Sequence, residues 1–257
     1  FDCLVFPERS MCARSTSIAR PSSIGNSLTS AVLMTVLAGA LARYLPTLQP
    51  AAKVSYGALL RSFPKLLRDE PVLRVRSWTA ALVMASFTAF WAAVALRLPD
   101  APFKLDARGI ALFALIGVAG AAATPIAGRW GDRGFARPLL IVSHLLIAGA
   151  LALCAWAGMI ESRVAALSLL GVGAVLLDFG ITTDQTLGRR AVNLLQPEAR
   201  GRINGLFVAL FFIGGAVGAA TASAAWSFGG WTAVCAVAAT FGMLGFITDI
   251  ATKTGSE

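Results

Sequence analysis

A chain of 257 residues with 57% apolar and 14% charged residues cannot keep a globular surface wet, because soluble domains carry about 25% charge. The composition implies a surface that faces lipid. The formal net charge of +9 does not mark a nucleic-acid binder, since the Lys and Arg residues sit between apolar runs and not along one stripe with interleaved aromatics.

In chain order, residues 1–27 hold Arg9, Arg14, Arg20 and Pro21 but no apolar stretch long enough for the core of a signal peptide. They are expected to be disordered or foreign to the topology. An apolar run at 28–45, closed by Pro46, reads as a first membrane helix. Residues 46–77, with Pro50, Pro64 and Pro71 between basic residues, read as a cytoplasmic linker carrying short amphipathic helices on the membrane surface.

Residues 78–251 contain six apolar runs, at 78–98, 109–127, 138–157, 164–187, 203–226 and 231–251. Each is close to the roughly 20 residues that cross about 30 Å of hydrocarbon. They lack the alternation of a lipid-exposed barrel, and backbone groups in lipid must bond within their own segment, so all are expected to be helices. The fold class is therefore all-α, a polytopic membrane helix bundle, ending in a short tail at 252–257. Cys3, Cys12, Cys154 and Cys235 show no CxxC spacing and carry no assigned chemistry.

Charge alternates between the connections. Lys53, Arg61, Lys65, Arg68, Arg74 and Arg76 precede the first of the six runs; Arg129, Arg133 and Arg137 follow the second; Arg189, Arg190, Arg200 and Arg202 follow the fourth. The intervening loops are poor in positive charge, or offset it with Asp100, Asp106 and Glu161. By the positive-inside rule the basic loops and the C-terminus are expected to be cytoplasmic.

The loop Gly128-Arg129-Trp130-Gly131-Asp132-Arg133-Gly134-Phe135-Ala136-Arg137 resembles the GxxxDRxGRR signature found between helices 8 and 9 of the major facilitator superfamily. Gly128, Asp132, Arg133 and Arg137 match, while Phe135 and Ala136 depart from the pattern. Pro197-Glu198-Ala199-Arg200-Gly201-Arg202 is similar to the loop between helices 10 and 11 of the same superfamily. The resemblance implies a C-terminal transporter half, helices 6 to 12, close to bacterial efflux-type proton antiporters, with Gly128, Asp132, Arg133, Arg137, Glu198, Arg200 and Arg202 as a cytoplasmic gating motif. It also implies a partner, the N-terminal half of the transporter.

Within the membrane, Asp178 lies 14 residues into the run at 164–187, about 21 Å deep at 1.5 Å per residue. A carboxylate there is expensive unless it faces a cavity or a partner, which makes it a candidate for a substrate or proton pathway together with Thr182 and Gln185 on the same face. His144, the only histidine, is expected to be a hydrogen-bonded packing residue, and Asp184 to line the cavity mouth. Gly214, Gly215 and Gly218 form a close-packing face, Pro125 is expected to kink its helix, and Trp78, Trp226 and Trp231 to anchor at the interface.

No GxxxxGK[ST], HExxH or GxSxG pattern is present, so neither an enzyme nor a cofactor is expected and energy would come from a gradient. The expected function is secondary transport of a small organic solute, proton-coupled and outward, by alternating access. The competing reading is a structural remnant or an assembly partner without transport of its own.

Overall fold

The computed structural model describes residues 21–44, 56–196 and 199–252, with the backbone alone at 21–27, 56, 58 and 59. Expectations that fall on residues 1–20, on Glu198 and on the tail at 253–257 lie outside the described residues. The chain divides into two compact units, Phe1–Lys53 and Val54–Glu257. In the first, helix α1 (Pro21–Tyr44) begins ahead of its apolar stretch, Leu28–Tyr44.

The second unit opens with α2 (Tyr56–Asp69), whose Phe63, Leu66 and Leu67 pack against a buried cluster that includes Leu73, Ile203 and Phe207. Helix α3 (Pro71–Arg97) follows directly. Proline is favoured in a first helical turn because its missing N–H has no partner there anyway, so the helix starts at Pro71 and not at the edge of the apolar run. Arg74 and Arg76, read as linker residues in the sequence, are therefore helical.

Three short helices, α4 (Ala107–Ala114), α5 (Gly117–Gly120) and α6 (Ala123–Trp130), lead through a π-type segment at Gly131–Phe135 into α7 (Ala136–Ala157). Helix α8 (Arg163–Asn193) and helix α9 (Arg200–Ala251) complete the unit. The apolar stretches Ala107–Ala157 and Arg200–Ala251 run 51 and 52 residues, more than twice the length one bilayer crossing needs. Each contains a glycine that turns the chain: Gly134 at φ 86, and Gly230 at φ 58 beside the non-helical Gly229. Only glycine takes such positive φ values without strain.

The neighbours of each arm show that both stretches fold back. Along α9, Gly214 and Gly218 lie on Ala81 and Ala85 of α3, while Gly242 and Gly245, past the break, lie beside Ser86 and Val83. One arm is thus parallel to α3 and the other antiparallel. Gly245 also neighbours His144 and Gly242 neighbours Ile147, which sets α7 parallel to α3; Gly173 and Gly180 of α8 meet Cys154 and Ile147 in the reverse order. Gly120 meets Asp178 and Gly131 meets Leu187, so the α4 to α6 pass runs with α8. Among the described residues, the unit makes six alternating apolar passes.

Small residues set the packing, as expected where lipid removes the hydrophobic drive between helices. A Cβ at Gly214 or Gly218 would collide with the carbonyl oxygens of Ala81 and Ala85, and the Thr88 hydroxyl donates to the Gly215 carbonyl at 2.8 Å. Large apolar side chains such as Leu115, Val118, Leu145, Phe212 and Val217 point outward, giving the lipid-compatible surface that the composition implies. Trp231, expected as an interfacial anchor, turns into the bundle: it is 7% exposed and its indole donates to the Cys154 carbonyl at 2.9 Å.

The α4 to α6 pass is wound tightly. Around its short helices the N–H groups of Leu115, Ile116, Val118, Ala119, Ala121, Ala122 and Thr124 donate to the carbonyl three residues back. Pro125 follows directly; a proline ring clashes with the carbonyl four residues earlier and supplies no N–H, which disfavours ordinary α winding at that point.

Candidate functional site

Asp178 stands at the midpoint of α8 (Arg163–Asn193) and is 4% exposed. Its Oδ1 accepts the indole N–H of Trp91 from α3 at 3.0 Å. Trp91 is fixed by aromatic neighbours: Phe90 edge-on with ring centroids 5.5 Å apart, and Phe113 at 6.3 Å. The α4 to α6 pass presents Gly117 and Gly120 here, with Gly117 bordering the Trp91 ring as well. A Cβ at Gly120 would fall 2.7 Å from the Asp178 Cβ, and one at Gly117 would fall 3.1 Å from Oδ2. The carboxylate is thus held by one neutral donor and bordered by glycine, an arrangement that satisfies one oxygen and leaves no cation beside it among the described residues.

Thr182 and Gln185 lie on the same stripe of α8, both half-buried. The Thr182 carbonyl accepts the Thr186 hydroxyl at 2.7 Å. Among the described residues no side-chain hydrogen bond joins Asp178, Thr182 and Gln185 to one another.

The loop that carries the first motif behaves differently from its pattern. Asp132 pairs with Arg190 of α8, at 2.9 Å, and not with the adjacent Arg133. The glycine that permits close approach is Gly131, whose Cβ would meet Leu187, whereas Gly128 faces nothing within 4 Å. Arg133 and Arg137 are exposed. Arg200 donates from Nε to the Asn193 carbonyl at 3.2 Å, and Arg202 is exposed.

A second charged constellation is assembled from four passes. Arg76 of α3 and Asp249 of α9 form an ion pair at 2.6 Å, with side chains 5% and 8% exposed. His144 of α7 has its Nε2 4.0 Å from Asp184 of α8 and its Nδ1 4.0 Å from Asp249. Asp184, expected at a cavity mouth, is instead 3% exposed inside this group. Sequence reasoning overlooked Arg76 and Asp249. Two signals point to them: Pro71 as a helix start places Arg76 inside a helix, and Asp249 is a carboxylate within the last apolar run.

No family model matches the chain. Over 216 residues, 84% of its length, it is 29% identical to a protein of Escherichia coli O157:H7 named as the uncharacterized transporter YgaY, and equally so to its counterpart in strain K12. Over 217 residues it is 29% identical to a Streptomyces coelicolor protein named as the probable transporter SCO4007. The chain spans about half the length of these relatives, 53% of the first two and 49% of the third.

Proposed function

We propose that this chain is the C-terminal half of a secondary transporter of the major facilitator type, which moves a small organic solute across a bacterial inner membrane. The observation that carries the reading is Asp178, a buried carboxylate at the midpoint of a membrane-length helix with no basic partner among the described residues. A lone carboxylate at such depth is costly, and a site that loads and releases a proton or a cationic solute is a reason to keep one. The transporter names of the relatives support the same reading.

In this reading Asp178 carries the coupling proton, Thr182 and Gln185 line the solute path, and a second six-pass half supplies the opposing wall, so that the two halves rock about a site at the midplane. Transport is outward and driven by the proton gradient. The basic loops around Asp132 and Arg190 face the cytoplasm, where their ion pair joins two passes on the gating side.

The test is transport in inverted membrane vesicles from cells making this chain together with its N-terminal half, monitored as solute-dependent collapse of a proton gradient. Asp178→Asn should insert and fold normally and abolish that collapse. Unchanged proton-linked transport in the variant would reduce Asp178 to a structural residue.

A further inference from the structure

The cluster of Arg76, His144, Asp184 and Asp249 is not used in the reading above, and its chemistry is incomplete as it stands. The His144 side chain is fully buried, with 0% exposure. Its Nδ1 lies 2.8 Å from the Leu140 carbonyl. A carbonyl only accepts, so Nδ1 carries the hydrogen and a neutral ring has a bare lone pair at Nε2. Among the described residues that nitrogen has no hydrogen-bond partner, and the polar atom it faces is Asp184 Oδ1 at 4.0 Å. Two acceptors confront each other in a buried place, and a proton between them relieves both.

The charges around the ring lead to the same deficit. From α3 comes Arg76, from α8 Asp184, from α9 Asp249, and from α7 itself Arg137, exposed and lining the small cleft above Asp249. Arg76 and Asp249 neutralise each other at 2.6 Å. Arg137 is exposed to solvent, which leaves Asp184 as one buried negative charge without a counterion of its own among the described residues. Burial of an uncompensated charge is among the costliest arrangements in a protein.

We propose that the cluster is a second ionic site of the protein, distinct from Asp178, which binds one proton at His144 Nε2 facing the Asp184 carboxylate. A proton brings the four groups to zero net charge. A divalent metal would leave them one charge positive and would have to share Asp249 with the Arg76 guanidinium. Sodium prefers oxygen ligands, and the open position here is a nitrogen. The bound proton ties α7 to α8 at the place where Arg76 and Asp249 tie α3 to α9, so four of the six passes are fastened at one level. The cleft lined by Arg76, Arg137, Phe246 and Asp249 has a volume of about 20 Å³, room for about one water, on the Asp249 side of the cluster.

The test uses the fact that His144 is the only histidine in the chain. Protein labelled with nitrogen-15 in histidine, purified in detergent micelles, gives one pair of imidazole signals. At pH 7 both ring nitrogens should show the shifts of a protonated imidazolium, and in Asp184→Asn the ring should revert to the neutral form with hydrogen on Nδ1. A neutral ring at pH 7 in the unmutated protein overturns the proposal whether or not the variant folds. So does stoichiometric Zn²⁺ or Mn²⁺ binding that moves the Nε2 signal, which would assign the site to a metal. The measurement does not depend on transport, so it stands apart from the test of Asp178.

Discussion

Arg76 and Asp249 are 173 residues apart in sequence and 2.6 Å apart in space, one near the start of the six passes and the other near their end. Removing one member of a buried pair strands the other charge, at a cost of about 3 to 5 kcal/mol, whereas replacing both by apolar groups of similar size is often close to neutral. Arg76→Gln or Asp249→Asn should therefore each destabilise the bundle by that amount, and Arg76→Met with Asp249→Leu should recover most of it. Unfolding by detergent titration of the four proteins in a double-mutant cycle measures the coupling. Additive losses would show that the pair is not the interaction that matters.

The contact of α3 with α9 allows no side chain at two positions. Gly218→Leu must push against the Ala85 carbonyl and should cost about 1 to 3 kcal/mol or more. Gly205, on the same helix, faces nothing within 4 Å, and Gly205→Ala should raise stability by up to about 1 kcal/mol through helix propensity. Thermal melting followed by circular dichroism in detergent should separate the two variants in opposite directions.

Trp91→Phe keeps the aromatic packing with Phe90 and Phe113 but deletes the donor to Asp178. The buried carboxylate loses its bond, and the expected loss is about 1 to 3 kcal/mol. Asp178→Asn retains an oxygen that accepts the indole N–H and should stay within about 1 kcal/mol of the unmutated protein. Equal losses in both variants would mean that the charge itself, and not the hydrogen bond, holds the site together.

The Asp132 and Arg190 side chains are 70% and 37% exposed, and exposed ion pairs contribute about 1 kcal/mol or less. Asp132→Asn should leave the melting curve nearly unchanged at physiological salt. A transport defect in that variant without a stability defect would assign the pair to gating.

In the proposed topology the turn at Gly134 is cytoplasmic. A thiol-reactive, membrane-impermeant reagent applied to intact cells should fail to label Gly134→Cys and should label it in inverted vesicles. Labelling from outside would reverse the orientation of all six passes.

The helical passes were legible because mean hydropathy is additive along a run and six runs of the right length leave little choice. The turn between the last two arms was legible too, since Ser227 to Gly230 is uncharged and glycine-rich. The cluster around His144 was not. A charge at the edge of an apolar run reads as loop, and whether it turns inward depends on partners more than a hundred residues away, as Arg76 shows. The winding of the α4 to α6 pass was equally hidden, because hydropathy does not distinguish bonds to the third residue back from bonds to the fourth.

The two glycines beside Asp178 have a consequence for the spacing of the passes. Gly117 and Gly120 stand three positions apart on one face of α5, so both reach Asp178. A Cβ at Gly120 would meet the Asp178 Cβ at 2.7 Å and force the two passes apart. The surroundings of Asp178 are therefore set by what the neighbouring backbone lacks as much as by the residues on α8 itself.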